Sequence, residues 1–257
     1  MDLRDKVVVV TGGASGIGEA LCKRFAHEGA RVVVADLNES GAFQVAESIS
    51  GMHFGLDVTQ ESQVAELVAR TEERYGSIHL YCSNAGVFHL DQNPLETASN
   101  EHWQLSWEVN VMAHVYASRA VLPGMLQRGT GYFLITASAA GLLNQVGSAS
   151  YGTTKHAAIG FAESLSISHG DKGLTVSVLC PQAVDTPMVA QLGGPGVAGL
   201  DGMMTPHDLA QVVVDGLAAE QFLILPHPEV LTYMQRKSTG YDRWLKGMRR
   251  LRDQFLS

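Results

Sequence analysis

The sequence has few of the residues that mark secreted and membrane proteins. Its three cysteines, Cys22, Cys82 and Cys180, are widely spaced among 257 residues. An odd number of cysteines at such spacing predicts buried free thiols and a reducing cytosol. The apolar runs are too short for a signal peptide and for the roughly 20 residues of a membrane-spanning helix. We therefore expect a cytoplasmic protein with no membrane span.

Positive charge is also scarce. The chain has 18 Lys and Arg against 26 Asp and Glu, a net charge of −8 at pH 7. This excess of acidic residues argues against a nucleic acid or an anionic membrane as the main partner. The exception is the C-terminus, where seven basic residues stand against three acidic ones from Pro228 onward. This basic tail could face an acidic neighbouring subunit, a membrane surface or only water.

Two kinds of catalytic centre lack their signatures. The ten histidines are scattered without the spacing of metal ligands, so no metal site is predicted. The sequence has no G-x-S-x-G motif and no plausible Ser-His-Asp set, which disfavours a hydrolase.

What the sequence does contain is a regular alternation of short β-branched runs and amphipathic helical windows. Strands are predicted at 7–10, 31–35, 53–56, 78–82, 132–136, 175–179 and 222–225, and helices over 16–27, 39–50, 61–75, 100–127, 151–169 and 207–219. Apolar strands alternating with helices predict an α/β fold, a doubly wound parallel sheet of about seven strands with helices on both faces. No repeat or linker divides the chain, so we expect one domain over residues 1–257.

Two segments interrupt this alternation. Residues 189–204 are rich in glycine and have no clear period. An irregular loop of this length is usually functional or disordered, and its glycines suggest a lid that orders when the substrate binds. The segment 226–257 begins with the prolines of PHPEV. Beyond them the pattern predicts one long amphipathic helix to about Arg252, a C-terminal helical extension.

The stretch TGGASGIG at 11–18 directly follows the first strand. In this context Gly12 permits a tight turn, Gly16 lets the backbone approach a pyrophosphate, and Gly18 lets the helix pack closely on the strand. The free N–H groups at the start of the helix can then bind phosphate. The pattern predicts a Rossmann-type dinucleotide site.

Asp36 ends the second strand, 18 residues after Gly18. A carboxylate there accepts hydrogen bonds from the ribose hydroxyls of NAD and repels the 2′-phosphate of NADP. No Arg or Lys in the turn or directly after Asp36 offsets that repulsion, so NAD is favoured. The alternative for Asp36 is a cap on the helix predicted after Asn38.

A second group of residues carries proton chemistry. Tyr151 and Lys155 are four residues apart on a predicted helix and so share one face. A nearby cation stabilises a phenolate, which lets the tyrosine exchange a proton with an alcohol or ketone oxygen. Ser138, in the loop after the fifth strand, can hydrogen-bond the same oxygen.

Together, T-G-x-x-x-G-x-G and S-x12-Y-x3-K make the chain resemble the short-chain dehydrogenase/reductase family over residues 1 to about 219. The resemblance implies that Tyr151 is the acid/base, that Lys155 also binds the nicotinamide ribose, and that Ser138 orients the substrate. It also implies that Asn110 anchors a water in a proton relay from Lys155; the alternative is a helical Asn bonded to local backbone.

The resemblance extends to the other cofactor contacts. One of them is Thr186, for which the alternative to a cofactor contact is a role as a helix cap. The cofactor-binding residues implied are Gly12, Ser15, Gly16, Ile17, Gly18, Asp36, Asp57, Val58, Asn84, Ala85, Gly86, Tyr151, Lys155, Pro181, Val184 and Thr186.

The chain departs from the family pattern in three places. Ser83 replaces the usual Asn before Asn84, which should matter little. Gln182 replaces the common Gly after Pro181 and is a candidate substrate contact, with Gln145 and Met188. The family's C-terminal D-G-G signature is absent, which puts the usual tetramer in doubt; we expect a homo-oligomer, either a tetramer or a dimer.

The sequence favours an NAD(H)-dependent oxidoreductase that transfers a hydride between nicotinamide and a secondary alcohol or ketone. The segments expected on the substrate side, 87–90, 139–147, Gln182 and 188–204, contain no Arg or Lys. We therefore hypothesise an apolar or weakly polar secondary alcohol or ketone bound mainly by burial. Two alternatives stay open. One is a 3-oxoacyl-type carbonyl reductase, and the other is a catalytically silent NAD-sensing regulator.

Overall fold

The fold was obtained as a computed structural model, which describes residues 1–90 and 98–255. Over these residues seven strands form one sheet in which every pair is parallel, in the order β3-β2-β1-β4-β5-β6-β7. The strands are β1 Val7–Thr11, β2 Arg31–Asp36, β3 Met52–Gly55, β4 Leu80–Ser83, β5 Gly131–Thr136, β6 Leu174–Leu179 and β7 Leu223–Ile224. This confirms the predicted Rossmann-type sheet.

Every predicted window contains helix, but the window 100–127 holds two helices, and two short helices lie outside the windows. They are α1 Gly16–His27, α2 Glu39–Ser48, α3 Glu61–Tyr75, α4 Asn100–Trp107, α5 Ala113–Arg128, α6 Ala140–Leu143, α7 Ala149–His169, α8 Pro187–Gln191, α9 Pro206–Ala218, α10 Glu229–Thr239 and α11 Tyr241–Phe255. A π-helical turn, Glu108–Met112, joins α4 to α5. Short 3-10 turns lie at Gly170–Lys172 and Gly196–Gly199.

The strands are apolar because both faces of the sheet are covered. In β1, Val7 and Val9 point into a core built with α3, α5 and α7, whereas Val8 and Val10 point into a core built with α1, α2 and α9. Such burial on two sides gives continuous runs of Val rather than alternation with polar residues.

The strand order reverses at β1, which lies between β2 and β4. In a doubly wound sheet the loops on either side of this point separate and leave a crevice at the carboxyl ends of the strands. The loops after β1 and β4 therefore border the natural binding site of the fold.

Two sequence expectations need correction. The C-terminal extension is not one helix, because the backbone at Gly240 (ψ 64°) separates α10 from α11; glycine is a poor helix former. The segment 189–204, expected to be irregular, contains the end of α8 and the 3-10 turn Gly196–Gly199.

The three cysteines are buried and form no disulfide, as expected. No helix within residues 1–90 and 98–255 has the length and apolar character needed to cross a membrane.

Candidate active site

The glycine-rich turn connects β1 to α1 in the conformation that its residues require. Gly16 has φ +54°, which L side chains rarely adopt. A Cβ at Gly18 would collide with the carbonyl oxygen of Gly12, so the helix can approach the strand only without one. The Ser15 side chain makes no cap bond to α1. The first N–H groups of the helix thus keep their capacity to bind an anion.

Asp36 lies at the carboxyl end of β2 and braces this turn. Its Oδ2 accepts a hydrogen bond from the Ala14 backbone N–H (3.0 Å), and its Oδ1 accepts one from Asn38 N–H (2.9 Å). The cap of α2 is the Asn38 side chain, which accepts from Gly41 N–H. The alternative of Asp36 as the helix cap is therefore wrong.

Asn84 holds the loop after β4 against the turn after β1. Its Nδ2 donates to the carbonyl oxygen of Thr11 at 3.0 Å, and its backbone N–H donates to the Thr11 hydroxyl at 3.0 Å. These bonds fix the two loops that border the crevice. Farther along the cavity, the Asp57 carboxylate accepts from the backbone N–H and the hydroxyl of Thr59.

One elongated cavity of about 800 Å³ runs along the carboxyl ends of the strands. It is lined by every predicted site residue except Asn110, namely Gly12, Ser15, Gly16, Ile17, Gly18, Asp36, Asp57, Val58, Asn84, Ala85, Gly86, Ser138, Gln145, Tyr151, Lys155, Pro181, Gln182, Val184, Thr186 and Met188. Residues from eight separate segments of the sequence, 12–18, 36, 57–58, 84–86, 138, 145, 151–155 and 181–188, thus share one surface.

Tyr151 and Lys155 project from the first turns of α7, where the Ser148 hydroxyl caps the helix by accepting from Tyr151 N–H. Lys155 Nζ lies 5.6 Å from the centre of the Tyr151 ring. It also donates a hydrogen bond to the carbonyl oxygen of Thr136 at 3.0 Å. Ser138 lines the same cavity, and its Oγ accepts a hydrogen bond from the Ala140 backbone N–H at 3.1 Å. The predicted group is therefore assembled at one end of the cavity.

Burial shifts the pKa values of both ionisable members of this group. Burial raises the pKa of Tyr151 above its ordinary value, and the hydrogen bond from Ser138 partly offsets that rise. Desolvation lowers the pKa of Lys155 to about 8. A positive charge brought next to Tyr151 would favour the phenolate, because opposite charges stabilise each other strongly in a poorly solvated site.

Asn110 lies in the π-helical turn and is fully buried. Its Oδ1 accepts from Val87 N–H (2.9 Å), and its Nδ2 donates to Val87 O (3.0 Å) and to the Thr154 hydroxyl (3.2 Å). A bond to local backbone is thus not what holds this residue. The position of a Cβ on Gly86 would be 3.3 Å from Asn110 Oδ1 and 3.4 Å from Lys155 Nζ, so Gly86 lies between the two side chains.

The three candidate substrate contacts, Gln145, Gln182 and Met188, have different surroundings. Gln145 lines the cavity, and its Nε2 donates to the carbonyl oxygen of Val146 at 3.0 Å. Gln182 Nε2 donates to Asp201 Oδ2 at 3.1 Å, while its buried Oε1 has no hydrogen-bond partner in the described residues. Met188 is partly exposed in the wall of the cavity.

Thr186, a predicted cofactor contact, also caps a helix. Its hydroxyl accepts from Val189 N–H at 3.4 Å at the start of α8, so the cap role is seen directly.

Sequence reasoning missed a buried histidine beside this group. Ser83, expected to matter little, shares a hydrogen bond of 2.7 Å with His114 Nδ1. Burial, followed by the charge of Lys155, lowers the pKa of His114 to about 3, so the ring stays neutral. The sequence spacing could have revealed this histidine, because His114 lies about one helical turn after Asn110.

A second cavity of about 640 Å³ adjoins the first and shares Ser138, Gln145 and Gln182 with it. Helices α10 and α11 form its far wall, with Arg236, Arg243, Trp244, Met248, Arg250 and Leu251 among the lining residues. The segments expected on the substrate side contain no Arg or Lys, but the C-terminal helices bring three arginines to this adjoining cavity.

This arrangement matches what comparisons with known proteins find. Residues 6–194 match the model of the short chain dehydrogenase family. The chain belongs to that family. A 1-deoxy-11-beta-hydroxypentalenate dehydrogenase from Streptomyces exfoliatus is 37% identical over 235 residues, which are 89% of this chain and 86% of that protein. Short-chain dehydrogenases oxidise alcohols or reduce ketones, and this chain is an oxidoreductase of that class.

Two other matches agree with this assignment. A 2,5-dichloro-2,5-cyclohexadiene-1,4-diol dehydrogenase from Sphingobium indicum is 33% identical over 226 residues, 83% of this chain and 90% of that protein. A short-chain dehydrogenase/reductase from Burkholderia phymatum, solved in complex with NAD, superposes with a TM-score of 0.85 at 26% identity. That match covers 94% of this short-chain dehydrogenase and 96% of the solved chain.

Proposed function

We propose that this protein is an NAD(H)-dependent oxidoreductase that interconverts a secondary alcohol and its ketone, with Tyr151 as the general acid/base. The observation that carries the proposal is that Ser138, Tyr151 and Lys155 line the same cavity as the glycine-rich turn and Asp36. Nucleotide-binding and proton-transferring groups thus share one continuous site.

The residues present fit a dinucleotide with an unsubstituted adenosine ribose. The N-terminus of α1 suits the pyrophosphate, and Asp36 suits the ribose hydroxyls. Asp57 and Val58 would contact the adenosine, and residues 84–86 would lie along the middle of the cofactor. Pro181, Val184 and Thr186 would lie toward the nicotinamide. The chemistry that such a cofactor supplies is the exchange of a hydride at the carbinol carbon.

The protein's own groups handle the proton. During oxidation, Tyr151 Oη takes the proton of the substrate hydroxyl; during reduction it returns one to the ketone oxygen. Ser138 Oγ holds the same substrate oxygen, so that the reacting atoms stay in line. Lys155 contributes positive charge beside the phenolate, which lowers the free energy of the ionised tyrosine. Asn110 positions Val87 and the loop before it against Lys155.

The relatives support an alicyclic alcohol with a largely apolar body. The names of the two relatives above denote a hydroxylated pentalenate and a cyclohexadiene diol. In this chain, Phe88 lies with its ring centre 4.5 Å from that of Tyr151, and Leu105, Val109 and Val146 also line the cavity. Such a wall binds a hydrocarbon skeleton by burial.

The test is the Tyr151→Phe variant in a dehydrogenase assay with NAD and a panel of cyclic secondary alcohols. Removing the hydroxyl removes the acid/base, so turnover should fall by about 10³-fold or more. NADH affinity, measured by fluorescence titration, should change less than about threefold because the ring stays in place.

Tyr75→Phe, at the far end of α3, is the matched control and should retain activity. Retained turnover in Tyr151→Phe would contradict the proposal. A wild-type protein that binds NADH tightly but oxidises or reduces no member of the panel would favour the NAD-sensing regulator instead.

A further inference from the structure

The second cavity differs in charge from the rest of the active site. Its lining contains three guanidinium groups, those of Arg236, Arg243 and Arg250, and one carboxylate, that of Asp201. Asp201 already accepts hydrogen bonds from Gln182 Nε2 (3.1 Å) and from the Tyr233 hydroxyl (2.9 Å). Positive charge therefore exceeds negative charge around this cavity, in a protein whose net charge is −8.

The three arginines have no acidic partner in the part of the chain that the structure describes. The ion pairs found there involve other residues, including the neighbouring Arg252, which pairs with Asp253. Arg236 instead lies over the Tyr233 ring, with Cζ 5.8 Å from the ring centre. Guanidinium groups without a carboxylate partner are free to bind an anion in a bidentate fashion.

Helical geometry explains how these side chains reach the same cavity. Arg243 and Arg250 are seven residues apart on α11, which is two helical turns, so they lie on one side of the helix. Trp244, Met248 and Leu251 line the cavity beside them. A ligand here would meet an apolar surface together with cationic groups, and Ser138 of the catalytic group lines the same cavity.

We propose that these arginines form an anion-binding subsite, and that the substrate is an apolar secondary alcohol or ketone with a carboxylate remote from the reacting carbon. The proposal rests on the proposed function for the position of the reacting carbon near Ser138 and Tyr151. It adds the class of substrate, a hydroxy or keto acid with a hydrocarbon body between the two groups.

The test compares two ligands of equal shape, adamantane-1-carboxylate and adamantane-1-carboxamide. Each is titrated calorimetrically into the full chain saturated with NADH. The wild-type protein should bind the carboxylate about tenfold more tightly than the neutral carboxamide, because the guanidinium groups act only on the charged ligand. Since these arginines are exposed to solvent, 0.5 M NaCl should reduce this preference.

The decisive variant is Arg236→Gln/Arg243→Gln/Arg250→Gln, with the single substitutions alongside it. The preference for the carboxylate should fall to about twofold or less, while carboxamide affinity stays unchanged. Arg249→Gln is the matched control, because Arg249 lies on the same helix but does not line the cavity, and it should keep the full preference.

Equal affinity for both ligands in the wild type would overturn the proposal, as would a preference that survives the triple substitution. If the triple variant does not fold, the single variants are compared instead, and a preference that is unchanged in all three overturns the proposal. Because binding is measured without turnover, the outcome is independent of the Tyr151→Phe assay. An acid preference in a protein that oxidises no alcohol would refute the proposed function and leave the subsite standing.

Discussion

At the scale of single residues, the site depends on a few groups whose surroundings were not visible in the sequence. Asp36 was identified from its place at the end of a strand, and its two hydrogen bonds to Ala14 and Asn38 show that it also shapes the turn. Lys155 was identified from its spacing to Tyr151. Its bond to Thr136 and its burial come from β5, which is distant in sequence.

Asp36 should determine the choice between NAD and NADP. In Asp36→Ala the charge repulsion of a 2′-phosphate disappears, so the ratio of kcat/KM for NADP over NAD should rise by about 10- to 100-fold. Asp171→Ala, an exposed acidic residue after α7, should leave the ratio unchanged. An unaltered ratio in Asp36→Ala would mean that another residue sets cofactor preference.

Lys155 should give the stability of the cofactor-free protein a characteristic pH dependence. Its folded-state pKa is lowered to about 8, whereas an unfolded chain keeps the ordinary value of about 10.4. Between these values the unfolded state binds the extra proton, so the free energy of unfolding rises with pH, by about 3 kcal/mol in total.

Urea unfolding of wild type and Lys155→Met from pH 7 to pH 10.5 measures this effect. The wild type should gain about 3 kcal/mol relative to the variant across that range. Lys172→Met, at an exposed position, is the control and should run parallel to the wild type. A difference between wild type and Lys155→Met that does not change with pH would show that Lys155 titrates normally.

At the scale of elements, the sequence predicted most of the fold because its local signals agree with its packing. The Val-rich strands predict a sheet covered on both faces, and the glycines after β1 predict a tight turn into a helix. The folded protein has both features. The errors fall where tertiary contacts decide. The π-helical turn that carries Asn110 has no local signature, and the break at Gly240 divides a pattern that is amphipathic on both sides.

The joint between β1 and α1 should be intolerant of a single methyl group. Gly18→Ala places a Cβ against the Gly12 carbonyl oxygen, so the free energy of unfolding should fall by about 3 kcal/mol and NADH affinity should fall with it. Gly160→Ala, in the exposed middle of α7 with nothing near the added atom, should instead add about 0.5–1 kcal/mol. Urea unfolding compares the two, and equal stability would contradict this account of the turn.

At the scale of the whole molecule, the cofactor half of the site could be predicted and the substrate half could not. The glycine-rich turn, Asp36, Tyr151 and Lys155 belong to short motifs with fixed spacing. The second cavity is formed by segments around 138–146, 182 and 197–201 with the C-terminal helices, and no spacing rule brings these together. The basic tail was visible in the sequence, but its position against the active site was not.

Three properties of the whole chain stay predictions. They are the single-domain organisation with a lid at 189–204, the cytoplasmic location and the homo-oligomer. Large apolar side chains on the surface, such as Ile167 and Trp107, favour association between copies. Light scattering tests the predicted homo-oligomer. An oligomer gives a mass that is a multiple of 27.6 kDa, whereas the mass of a single chain would exclude the oligomer.

The attachment of the last helix has a consequence for how this enzyme can change. Apart from Trp244, which packs against the small cluster of Ala139, Leu143 and Val230, helix α11 adds no residue to the hydrophobic cores. It lines the second cavity, where we propose that the substrate binds, and is joined to α10 at Gly240. On the proposed function, substitutions along it other than at Trp244 should therefore redirect substrate choice with little effect on folding or on the nucleotide half of the site. A library confined to residues 241–255 would explore new substrates on a fixed catalytic frame, in evolution as in the laboratory.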